Sequence, residues 1–248
     1  MADKIDQTIK GDGNSQIIVQ GNYIVGLNQD EVISLIKTFD YVNKDDVVEV
    51  VKEVMDNIPV EKMIQPDKRV FVPLIQQLSY SMEEEYIKIR YKKILESTMN
   101  IEKAGKVHPS FLSILSQLSS DELKILNSLP LTPLNSIPLI NVRMKLNEKQ
   151  GLGITLLKYF SDIGYGICEY PENICKYLEN FERLKLIEIP ADRHLVDESS
   201  YKKLINHPAI VGVRNENETA SGIAFTYEYD KMYYMLTSFG IDFIKCCK

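Results

Sequence analysis

The run of residues 107–129, VHPSFLSILSQLSSDELKILNSL, most constrains the fold of this 248-residue chain. Its apolar residues recur at helical spacing, and its polar residues stop and restart that pattern. Pro109 suits a first helical position, where a missing N–H costs nothing. Phe111, Leu112, Ile114, Leu115 and Leu118 follow as one wide apolar face. Ser119 lies three residues before Glu122, the spacing of a capping box, in which the hydroxyl takes the N3 amide and the acid reaches back. Leu123, Leu126 and Leu129 then face one side, and Pro130 and Pro133 end the run. Two short helices in tandem are predicted, with Leu115, Leu118 and Leu126 buried. This is scaffold rather than catalytic machinery.

These residues carry a resemblance. HPSFLSILSQLSSDELKIL is similar to the centre of the abortive-infection alpha family, bacterial proteins associated with phage defence. VFVPLIQQLSYSMEEEYIKIRYKKILESTMN resembles that family's paired helices, and YLENFERLKLIEI and MLTSFGIDFIKCC its C-terminal region. The likeness spans residues 60–248. Tyr91 stands where the family's second paired helix usually has tryptophan. The resemblance implies a part in phage defence and brings no catalytic residues.

Residues 5–26 stand apart. GDGNS and QGN read as turns, because Gly and Asn tolerate positive φ, and QIIVQ and NYIV read as short strands. A lone hairpin is marginal in water, so this one needs the body of the protein or copies of itself. Its Asn and Gln side chains alternate with β-branched ones, a composition that can stack into ladders. Gly13, Asn14 and Gln16, echoed by Gln20, Gly21 and Asn22, resemble the G-N-x-Q amyloid-type (RHIM-like) motifs. An ordinary hairpin that pairs with a second subunit or docks on the helices is the alternative. Both make Asn14, Gln16, Ile18, Gln20, Asn22 and Tyr23 the candidate self-association residues.

Helices follow. Asn28 is placed to open one reaching residue 40, and Asn43 to cap the next, whose Val47, Val51, Val54 and Ile58 form a stripe. Asp45 and Asp46 in its first turn complement the helix dipole. A helix over 67–79 must accommodate Pro73 in its first turn or at a kink. The next, over 81–99, sets Ile87, Tyr91, Ile94, Leu95 and Thr98 on one face. Its other face pairs Glu84 with Lys88 and mixes Glu83 and Glu85 with Arg90, Lys92 and Lys93, a solvated, salt-bridged surface rather than a phosphate contact.

From residue 137 the pattern becomes mixed. IPLINVRMKL reads as a strand, TLLKYFSDIGY as a helix, and PENICKYLENFERLKL as a helix burying Ile174, Tyr177, Leu178, Phe181 and Leu184. LIEIP is a short strand, 191–221 a polar insertion with one small helix, and GIAFTYEYDKMYYMLT a hairpin turning near Asp230–Lys231. Helix, strand and terminal hairpin are winged-helix parts. The expected fold is mainly α, with a short N-terminal β-hairpin (1–27), a helical domain (28–130) and a winged-helix-like α+β domain (131–248).

Charge bears on function. Residues 1–126 carry 15 Lys/Arg against 20 Asp/Glu, and 127–248 carry 14 against 15, within totals of 29 and 35. Neither half has the basic excess of a nucleic-acid footprint. Lys176, Arg183 and Lys185 on the candidate recognition helix are offset by Glu172, Glu179 and Glu182. No catalytic or metal-binding set emerges. Cys168 and Cys175 lack zinc half-site spacing, Cys246 and Cys247 are adjacent, and His108, His194 and His207 are scattered. Gly151 and Gly153 lack the rest of a nucleotide fingerprint. No apolar run is long enough to span a membrane, and the N-terminus has no apolar signal core. The expectation is a cytoplasmic, non-enzymatic interaction protein without cofactor. It assembles with itself or with a phage or host protein. A winged-helix DNA-binding regulator and a cryptic hydrolase or nuclease are the alternatives.

Overall fold

The protein is described by a computed structural model that covers residues 18–20, 23–25, 29–37, 43–132, 135–145, 153–221 and 225–248. The chain divides into two units. One holds residues 1–118 with 245–248, the other residues 119–244.

In the first unit, β1 (Ile18–Gln20) and β2 (Tyr23–Val25) pair antiparallel, with Ile18 opposite Val25 and Gln20 opposite Tyr23. Helix α1 (Gln29–Lys37) buries Val32 and Ile36, one turn apart. The cap expected from Asn28 falls outside the described residues. Helix α2 (Lys44–Asp56) buries the predicted valine stripe, and Ile58 beyond its end is buried too. Asn43 does not cap it. At φ 53° its backbone is left-handed, and its side-chain amide donates instead to the Ser79 carbonyl, 3.2 Å away.

Asp67 caps α3 (Lys68–Tyr80) by accepting the Arg69 amide at 2.9 Å. Pro73 lies past the first turn, so the helix runs through a residue that cannot donate to the Arg69 carbonyl. The bond forgone is offset by burial of Val70, Phe71, Leu74, Ile75 and Leu78. Helix α4 (Glu85–Thr98) buries Tyr91, Ile94, Leu95 and Thr98, while Ile87 is half-buried. Its lysines are paired, Lys88 with Glu85, Lys92 with Glu53 at 2.7 Å and Lys93 with Glu96 at 3.4 Å, while the Arg90 guanidinium lies 4.5 Å over the Tyr86 ring. Helix α5 (Ser110–Leu115) buries Phe111, Leu112, Ile114 and Leu115, and Leu118 after it is also buried.

The second unit opens with α6 (Ser120–Ser128), which buries Leu123, Ile125 and Leu126. A four-stranded antiparallel sheet follows in the order β4-β3-β6-β5. Its strands are β3 (Ile137–Lys145), β4 (Gly153–Phe160), β5 (Ile187–Glu188) and β6 (Thr226–Leu236). Two expectations are corrected here. Residues 155–160 are strand, not helix: β4 pairs with β3 from Lys145↔Gly153 to Ile140↔Phe160, with two register shifts. Around the second, Tyr159 takes φ 62° and its amide donates to Asn141 Oδ1 at 2.9 Å. Residues 226–236 are one strand, not a hairpin. Asp230 and Lys231 sit in unbroken register opposite Asn141 and Ile140. TYEYDKMYYML holds no Gly, Asn or Pro, and Asp230 alone does not break the ladder.

A one-turn helix (Pro171–Asn173) leads into α7 (Ile174–Arg183), which buries Ile174, Leu178 and Phe181; Tyr177 and Leu184 are only half-buried. The 191–221 insertion carries two helices rather than one, α8 (Glu198–Ile205) and α9 (Pro208–Ser221). Pro208 opens α9 and His207 Nδ1 accepts the Ala209 amide at 3.3 Å. Helix α10 (Ser238–Cys247) closes the described chain. Gly240 is needed there because a Cβ would lie 2.1 Å from the Leu186 carbonyl oxygen. Among the described residues no helix is long and apolar enough to cross a membrane.

Candidate functional site

The first turn of α6 places two acids side by side, and both are buried. Acids belong at a helix N-terminus, where the dipole is positive. Burial asks for more, because a carboxylate leaves water only when its oxygens are bonded. Glu122 is satisfied largely within its own helix. Its Oε2 accepts from the Ser119 amide at 2.7 Å, and the Glu122 amide donates to Ser119 Oγ at 3.3 Å, completing the predicted capping box. Its other oxygen accepts from Asn180 Nδ2 of α7 at 2.6 Å.

Asp121, only 4% exposed, reaches further along the chain. Its Oδ1 accepts the Glu169 amide and the Lys124 ammonium, both at 2.9 Å. Its Oδ2 accepts the Tyr170 amide at 2.8 Å and the Tyr177 hydroxyl at 3.3 Å. The Asp121 main-chain oxygen receives the Cys168 thiol at 3.7 Å. One carboxylate thus ties the segment 168–170 and helix α7 to α6. Burial alone would raise its pKa. The Glu169 amide, Lys124 and the Tyr170 amide outweigh that and hold it at about 2. The carboxylate is therefore ionised at neutral pH, with both oxygens occupied.

The thiols nearby are pushed the other way. Burial, with Asp121 adding to it, lifts Cys168 to about 11. Burial, with Glu179 adding to it, lifts Cys175 to about 11. Burial raises Tyr177 to about 12. Groups protonated this firmly make poor nucleophiles.

The loop that Asp121 holds turns at Gly166, where φ is 93° and the Cβ position is open. Gly164 is buried, and a Cβ there would meet Cys168 Sγ and Ile174 Cδ1 at 3.4 Å, ordinary contact. From this fixed loop two large apolar side chains face solvent, Ile167 at 40% and Tyr170 at 53% exposure. Glu169, Glu172 and Lys176 beside them are exposed.

Of the residues predicted for self-association, Ile18 and Gln20 lie in β1 and Tyr23 in β2. Asn14, Gln16 and Asn22 lie outside the described residues. His108 Nδ1 lies 2.6 Å from Ser110 Oγ, His194 is exposed, and the His207 ring lies 4.3 Å from Tyr165 and 5.4 Å from Phe160. Among the described residues no group of three or more His, Cys, Asp or Glu is placed to hold a metal ion. Asp121 and the loop 164–170 were not singled out by the sequence reading. The only local signal is an acid at the second position of a helix, which dipole compensation already explains.

The family model described as abortive infection alpha matches residues 40–247. No curated protein matches the chain. Among solved structures, an uncharacterized protein from the hydrocarbon-degrading marine bacterium Alcanivorax borkumensis SK2 is similar at a TM-score of 0.36 and 12% identity. The match covers 55% of this chain and 90% of that one.

Proposed function

The chain belongs to the abortive infection alpha family, and from that premise we propose that it acts in bacterial anti-phage defence as a non-enzymatic assembly protein of the cytoplasm. It works by assembling with itself or with a phage or host protein. The observation that carries this reading is the use made of Asp121. This buried carboxylate is occupied on both oxygens and holds an apolar loop toward solvent. That is how a binding surface is made rigid; a reacting acid needs a free oxygen and a pKa nearer neutrality. The β1–β2 hairpin, too small to be stable alone, supplies the self-association element.

The winged-helix-like reading of residues 131–248 keeps its helix and short strand, α7 and β5, but loses its terminal hairpin, which is the single strand β6. DNA binding through it is the weaker reading, because affinity comes from neutralising phosphate. Two lysines of the sheet already have acidic partners: Lys158 pairs with Glu179 at 3.4 Å, and Lys145 with Glu228 at 2.5 Å.

Deleting residues 1–26 should leave a folded, α-rich body with a smaller oligomer by light scattering, and should weaken phage protection. A monomer both before and after deletion refutes assembly through the hairpin. A gel shift at physiological salt, or metal-dependent turnover of nucleotides or nucleic acids, would move the reading to the regulator or the hydrolase.

A further inference from the structure

We draw no further inference here: the strongest candidate, the acidic cleft of the first unit lined by Asp46, Glu49 and Glu53 of α2 and by Glu83 ahead of α4, is a cluster of carboxylates, and no second observation in the structure shows what would occupy it.

Discussion

Replacing Asp121 with asparagine changes one carboxylate oxygen to an amide nitrogen and leaves the volume almost untouched. The structure says what that costs. Both oxygens accept, one from the Glu169 amide and one from the Tyr170 amide. Asparagine has a single acceptor oxygen, so one backbone N–H must face an NH2 group. A buried donor left without an acceptor costs about 1–3 kcal/mol. Linkage gives a similar figure. A carboxyl held at about 2 in the folded state, against about 3.9 when unfolded, contributes on the order of 2.5 kcal/mol. Lys124 is partly exposed, and its share is under about 1 kcal/mol. The folded pKa is depressed, so this contribution is complete above the unfolded value and disappears as pH falls through the folded one. Asp121→Asn should therefore lose about 2–3 kcal/mol in urea at pH 7, and about half of that difference should be gone near pH 3. Hydrogen exchange should quicken at the 169 and 170 amides while those inside α4 are unchanged. A variant as stable as the parent at pH 7, or a difference unaltered by acid, would refute the clamp.

Three further substitutions probe other parts of the fold. Leu115→Ala empties a fully buried site and should cost about 2–5 kcal/mol by chemical denaturation; a neutral result would misplace the apolar face of α5. Ser119→Ala should cost about 1 kcal/mol, because it removes the acceptor of the capping box while Glu122 keeps the Ser119 amide. Gly240→Ala drives a Cβ against the Leu186 backbone, which has no flexible end to yield, and should cost about 1–3 kcal/mol or more, read as a lowered Tm. Finally, alanine at His108, His194, His207, Cys168 or Cys175 should leave phage protection intact wherever abundance is unchanged. Loss of protection by one such folded, abundant variant would reveal chemistry that the assembly reading denies.

What could be read from sequence follows the range of the interactions involved. The α6 capping box is written within four residues, and the valine stripe of α2 within about three turns, so both were legible. Asn43 failed as a cap although its residue type fits, because the Ser79 carbonyl, 36 positions away, competes for its side chain. Strand β4 was misread for a related reason. TLLKYF spaces its apolar residues as a helix would, and only pairing with β3 decides the matter. In β6, Asp230–Lys231 looks like a turn until Asn141 and Ile140 are seen opposite, where the ladder needs two more rungs. The same logic explains why the candidate site was half visible. The pattern SSDEL announces a helix start with two acids in its first turn. One acid closes on the serine three residues before it. The other closes on amides 48 and 49 positions downstream, and no local pattern encodes that distance. A buried Asp121 therefore carries more information about the loop that it holds than about the helix in which it sits.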